Sequence, residues 1–143
     1  MLPAVIVDTN VVVAGLLTAR ADSPVARVLD GMLTAVFPYV ISEALLAEYR
    51  TVLRRPAVRK AHGLTADELD TILVDLAQHG IVMAPVSAQP APDPGDQHLW
   101  ELLAAREDLL LVTGEKKLQK DRVMGPRILT PAAFVERWMQ TNS

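Results

Sequence analysis

Residues 4–7, Ala4-Val5-Ile6-Val7, are apolar at every position, and the run stops at Asp8-Thr9-Asn10. A surface helix or a half-exposed strand would show polar residues at every second or third place. An unbroken, β-branched run of this length predicts a strand buried on both faces, the kind found in parallel sheets. Parallel neighbours need long crossovers, so this feature commits the rest of the chain to alternate strands with helices. The pattern follows. Residues 11–17 read as a short helix. Ser23-Pro24 is an N-cap with proline at the first helical position, opening a helix to residue 33. Residues 35–40 are a second strand candidate. Ser42 caps a helix to residue 53, which Pro56 breaks. Thr65-Ala66-Asp67-Glu68 is a capping box, starting a helix to residue 79 that Gly80 ends. Further strands are predicted at 81–84, 109–112 and 127–129, and further helices at 96–105 and 131–139.

The expected architecture is therefore α/β, a doubly wound parallel sheet with helices packed on it. At 143 residues the expected organisation is one domain over 1–143. The one long loop, residues 85–95, carries Pro85, Pro90, Pro92, Pro94 and Gly95 and fits inside that domain. There is no cysteine, which excludes a disulfide scaffold, thiol catalysis and thiolate metal sites. The start lacks the basic and long apolar segments of a signal peptide. No stretch reaches the roughly 18 apolar residues of a membrane span. The expected setting is cytoplasmic, with no membrane partner.

Formal charge is −3, from 14 Lys+Arg against 17 Asp+Glu. Its distribution says more than its sum. Arg50, Arg54, Arg55, Arg59 and Lys60 form one basic cluster. Lys116, Lys117, Lys120, Arg122 and Arg127 form a second, with Asp121 as its only acid. Either cluster alone reads equally as a solvated helix face.

Parallel sheets bind ligands beyond the carboxyl ends of their strands, at the switch point. Asp8 ends the first strand, Glu115 lies just past the fourth, and Asp96 opens the helix feeding the fourth. If strands one and four are neighbours, these three carboxylates converge. Singly, each also reads as a turn or helix-cap residue, as does Asp93 ahead of Pro94. Glu48 shares a helix face with Leu45 and Val52, so it points along an apolar stripe. A buried carboxylate there costs several kcal/mol unless it is paired or bound to a cation. Glu43 lies on a face with Ala47, Arg50 and Arg54 and reads as solvated. Four crowded carboxylates raise one another's pKa unless a cation joins them. All-oxygen ligation suits Mg²⁺ or Mn²⁺ rather than zinc. Such an ion lowers the pKa of its water and offsets charge on a phosphate oxygen, and nearby cations suit a polyanionic substrate. His98, two residues after Asp96, would point about 160° away on a helix and reads as structural. Trp100 and Trp138 lie in amphipathic patterns and read as core.

Asp8-Thr9-Asn10 at a strand end, Ser42 to Glu48 and on to Arg54-Arg55-Pro56, Asp93-Pro94-Gly95-Asp96, and Thr113-Gly114-Glu115-Lys116-Lys117 together resemble a PIN domain. Within that family they resemble the bacterial toxins of toxin–antitoxin pairs related to VapC. The resemblance implies a three-layer fold with a five-stranded parallel sheet flanked by helices. It implies a Mg²⁺- or Mn²⁺-dependent endoribonuclease in which Asp8, Glu48 and Asp96 ligate metal and act in catalysis. It places the fourth acid at Glu115, where the family usually carries Asp. Thr9, Asn10 and Thr113 would orient carboxylates or water, and Asp93 would be a peripheral cap. Arg50, Arg54, Arg55, Lys116 and Lys117 would contact the RNA backbone. A cognate antitoxin protein and a homodimer are implied by the family only. The competing expectation is a non-catalytic PIN-like RNA-binding or scaffold protein, with metal binding weakened by Glu115.

Overall fold

The computed structural model describes residues 3–142. Strand β1 (Val5–Val7) is buried at all three positions, as its composition requires. It pairs in parallel with β4 (Leu110–Val112), in the register Val5 with Leu110 and Val7 with Val112. β4 pairs in parallel with β5 (Ile128–Leu129). A separate two-stranded parallel ladder joins β2 (Val40–Ile41) to β3 (Ile81–Val82).

The expected five-stranded sheet is thus divided. The main sheet has three strands, in the order β1-β4-β5. One isolated parallel bridge, Val5 to Tyr39, links it to the second ladder, with the Val5 N–H donating to the Pro38 carbonyl at 3.2 Å. The bridge places β2 beside β1, giving the spatial sequence β3-β2-β1-β4-β5. Strands are added to one side of β1 as far as β3 and to the other side from β4, so the order reverses between β1 and β4 and the crevice lies beyond their carboxyl ends.

The second strand also starts later than expected, for a local reason. Helix α2 (Pro24–Leu33) ends in a Schellman arrangement, with Val36 N–H on the Gly31 carbonyl and Ala35 N–H on the Met32 carbonyl. That places Ala35 at φ 55°, the left-handed region glycine prefers. Residues expected to start a strand at 35 are spent closing this helix, and pairing begins only at Tyr39. Ala35→Gly should therefore stabilise the protein by about 1 kcal/mol, read as a rise in melting temperature.

Helix α1 (Thr9–Leu17) follows β1 without a loop. Gly15 lets it cross α2 closely, because a Cβ there would lie 2.6 Å from the Val25 carbonyl oxygen. Helix α3 (Glu43–Leu53) starts at Ser42, whose hydroxyl accepts from the Leu45 N–H at 3.1 Å. Its buried face is Leu45, Tyr49 and Leu53. The Tyr49 hydroxyl donates to the Val7 carbonyl, tying α3 to the end of β1. Pro56 ends α3 as expected but also sits at the first position of a further helix, α4 (Pro56–His62), which closes on Gly63 at φ 67°. The capping box at Thr65 and Glu68 is present, opening α5 (Ala66–His79).

Past β3 and the proline-rich segment, a 3₁₀ turn (Pro94–Asp96) leads into α6 (Gln97–Leu103). The expected single helix over 96–105 therefore starts one residue later and in a different geometry. A short α7 (Lys116–Gln119) follows β4, and α8 (Pro131–Asn142) closes the chain. One contiguous apolar cluster includes Trp100, Tyr39, Tyr49 and Phe134. Trp138 packs edge-on to Phe37, so both tryptophans serve packing. Among the described residues, no helix is long and apolar enough to cross a membrane.

Candidate active site

Asp8, Asp96 and Glu115 have one structural property in common. Each stands at the N-cap of a helix, α1, α6 and α7 respectively, and none makes a side-chain cap hydrogen bond. Acids at N-caps ordinarily accept from the N–H two or three residues on. Ser23, Ser42 and Thr65 do so in this chain. Asp93 accepts from the Gly95 N–H at 2.9 Å and so caps the 3₁₀ turn. Asp8, Asp96 and Glu115 thus keep the favourable placement of an acid at a helix N-terminus but make none of the cap hydrogen bonds that it offers. All three carboxylates face one cavity of about 750 Å³, whose wall also includes Glu48 and Asp93. It opens beyond β1 and β4, where the topology puts the crevice.

Asp8 is 4% exposed, and the Thr113 hydroxyl donates to its Oδ2 at 2.7 Å. Thr113 is itself fully buried and accepts the Glu115 N–H at 3.1 Å, joining two of the acids through one hydroxyl. Glu48 is not on the core stripe expected for it. Tyr49 and Leu53 take that stripe, and Glu48 is half-buried at its edge, facing the cavity with Val52. Both of its oxygens are engaged. The Thr9 hydroxyl donates to Oε1, and His98 Nε2 donates to Oε2 at 2.8 Å.

His98 is the site residue that spacing misplaced. The helical rotation argument assumed that Asp96 and His98 share a helix. Asp96 instead ends the 3₁₀ turn with φ −99° and ψ 5°, so the 100° per residue rule does not carry across. With Glu48 as acceptor, the His98 proton lies on Nε2. Its Nδ1 is buried with no hydrogen-bond partner among the described residues. The available signal was a polar residue in the first turn of a helix that also presents Leu99 and Trp100 to the core.

Electrostatics fit a site built for positive charge. Burial pushes Asp96 up from 3.8 to about 7, helped by Glu115, Asp8, Asp93 and Glu48. Burial also raises Asp8, with Glu115 and Glu48 adding to it and Thr113 opposing. A set of oxygen donors repelling one another in this way suits a hard divalent cation. Among the described residues, no three of them are already gathered around a common point for an ion. Asp96 binds its proton more tightly folded than unfolded. Its contribution is thus stabilising at low pH and is lost as pH rises through about 7. In EDTA the melting temperature should rise as pH falls from about 7 towards 4, and Asp96→Asn should flatten that slope.

The basic residues separate. Arg55 lines the acid cavity. Arg50 lines a different groove, between α3 and α5, with Glu43 and Leu73. Arg54 pairs with Asp70 at 2.9 Å. The expected convergence of Arg50 and Arg54 on the acids is therefore not what the helix provides. Their positions face α5, and only Arg55, at the turn into α4, comes round. Lys116 and Lys117 are exposed at the start of α7, directly after Glu115 and outside the cavity wall. Asn10 is exposed on that wall.

Against known proteins, the family model for the PIN domain matches residues 4–117, a span that contains all four acids. No curated protein matches the chain. PIN domains are generally nucleases and typically use divalent metals. The match covers well over half of the sequence and agrees with the mixed α/β architecture and its parallel strands. The chain belongs to the PIN-domain family.

Proposed function

We propose that this protein is a metal-dependent endoribonuclease that hydrolyses RNA phosphodiester bonds. The observation that carries this reading is that three acids at helix N-caps leave those caps unmade and turn, with Glu48, into one cavity. Asp8, Glu48, Asp96 and Glu115 would hold Mg²⁺ or Mn²⁺. Once bound, such an ion supplies an activated water near neutral pH and offsets charge on a phosphate oxygen.

The chain's own groups do the rest. Thr113 fixes the Asp8 carboxylate, and Thr9 and His98 fix Glu48. These contacts restrict the carboxylate rotamers before any ligand arrives. Asp96, raised to about 7, would exchange its proton for the cation as the ion binds. Arg55 meets the RNA backbone beside the acids, and Lys116 and Lys117 meet it on the Glu115 side. The products carry a 5′-phosphate and a 3′-hydroxyl.

The same reading extends to biology through the toxin resemblance. The protein acts in the cytoplasm as the toxin of a toxin–antitoxin pair, as a single domain over 1–143, in a homodimer held inactive by a cognate antitoxin. The test is cleavage of a mixed structured-RNA pool in Mg²⁺, Mn²⁺ or EDTA, beside Asp96→Asn. Metal-dependent cutting lost in the variant supports the nuclease. RNA binding indifferent to EDTA and to Asp8→Asn, with no cutting, supports a scaffold. One observation favours that second reading: among the described residues, no group of three acids or histidines is placed to hold an ion.

A further inference from the structure

A second cavity, of about 830 Å³, lies between α3 and α5 and shares no lining residue with the acid cavity. Its α3 wall carries Glu43, Ala47 and Arg50 on one helical face, at the i, i+4, i+7 spacing. Charge at both ends makes that face read as solvated in the sequence, yet the groove beside it is apolar. Leu46 lines it from α3, and Leu73, Val74 and Ala77 line it from α5. Val74 is 52% exposed. Apolar surface left open in this way costs solvation free energy and marks a place for a partner. The groove is preformed, because the Arg54–Asp70 ion pair ties the end of α3 to α5.

The charges select the partner. Glu43 stands in the first turn of α3 and Arg50 in the last. Seven residues of helix set them about 10 Å apart along the axis. Among the described residues, neither makes a hydrogen bond or an ion pair. An acid at one end, a cation at the other and a small residue between them form a pattern complementary to itself. Turned by 180° about an axis beside Ala47, a second α3 runs antiparallel to the first. Glu43 then faces the partner's Arg50, and Arg50 faces the partner's Glu43. A copy matches both ends by symmetry alone, and Ala47 lets the two helix backbones approach closely. Family resemblance gives the homodimer no face. We propose that two copies of this chain meet at the α3–α5 groove, with their α3 helices antiparallel across a two-fold axis beside Ala47.

The test is sedimentation of the full chain without RNA, so it stands apart from the nuclease reading. The wild type should sediment as a dimer at micromolar concentration. Glu43→Arg and Arg50→Glu should each raise the dimer dissociation constant about 30-fold, because each turns two attractions per dimer into two repulsions. An equimolar mixture of the two variants should recover the wild-type constant. One chain then offers two cations along α3 and the other two acids, and recovery also shows that both variants fold. A further variant does not depend on charge. The chain has no cysteine, so Ala47→Cys introduces a single thiol beside the axis, and mild oxidation should trap a covalent dimer. A monomeric wild type overturns the inference and leaves the groove to another protein. So do single charge variants that dimerise as the wild type does, or a mixture that stays monomeric while both variants melt as the wild type does. If either charge variant fails to fold, Ala47→Cys decides: a covalent dimer upholds the face, and its absence refutes it.

Discussion

Asp8→Asn should reduce RNA cleavage by about 10³-fold or more, the scale seen when a charge-stabilising group is removed from a reacting centre. The same variant should be no less stable than the wild type in EDTA. Burial and the neighbouring Glu115 and Glu48 raise the pKa of Asp8, so its charged form works against the fold at neutral pH. Asparagine keeps the carbonyl oxygen that accepts from Thr113 and removes the charge. A residue held for structure would give the opposite pair of results, with activity tracking lost stability. Thermal melts in EDTA beside cleavage rates separate the two cases. Loss of activity without loss of stability marks a site kept at a cost to the fold.

Arg127→Ala should destabilise the protein by about 3 kcal/mol, read as a lower denaturant midpoint with unchanged slope. The guanidinium is a strut rather than a surface charge. Its Nη2 donates to the Leu103 carbonyl at 2.7 Å and the Arg106 carbonyl at 2.5 Å, and its Nε donates to the Leu109 carbonyl at 3.1 Å. These carbonyls belong to the end of α6 and the approach to β4, so one side chain joins the helix that carries Asp96 to the strand that leads to Thr113. Removal leaves three acceptors short of a charged donor. Arg127→Lys should recover only part of the loss, because an ammonium cannot span the fork.

Arg127 also illustrates what the sequence could and could not convey. Counted along the chain, it belongs to a basic cluster with Lys116 and Lys117, and nothing in its neighbours marks it as internal. Only the return of β5 alongside β4 brings it under the α6 terminus. The same limit applies to Arg50, Arg54 and Arg55. They are adjacent on paper, yet the turn at Pro56 sends one to the acid cavity and two towards α5.

What is written locally was legible. The apolar run ending at Asp8 and the Ser23, Ser42 and Thr65 caps each rest on residues within one helical turn. The late start of the second strand was not legible, because it depends on Ala35 taking a glycine-like conformation. The four acids could be brought together on the condition that β1 and β4 are neighbours, and they are. His98 escaped because the backbone changes helix type at Asp96, which no spacing rule reads.

Asp8, Glu48, Asp96 and Glu115 would together form one cation site. Calorimetric titration of the purified protein with Mn²⁺, at pH about 6 in buffers of different ionisation heat, tests it most directly. Asp96 rises to about 7, so at that pH it is largely protonated and must release its proton as the ion binds. Saturable binding with proton release is expected, lost in Asp8→Asn, and weaker in Asp96→Asn with fewer protons released per ion. Absence of binding by the wild type, or equal binding by Asp8→Asn, would contradict the single cation site.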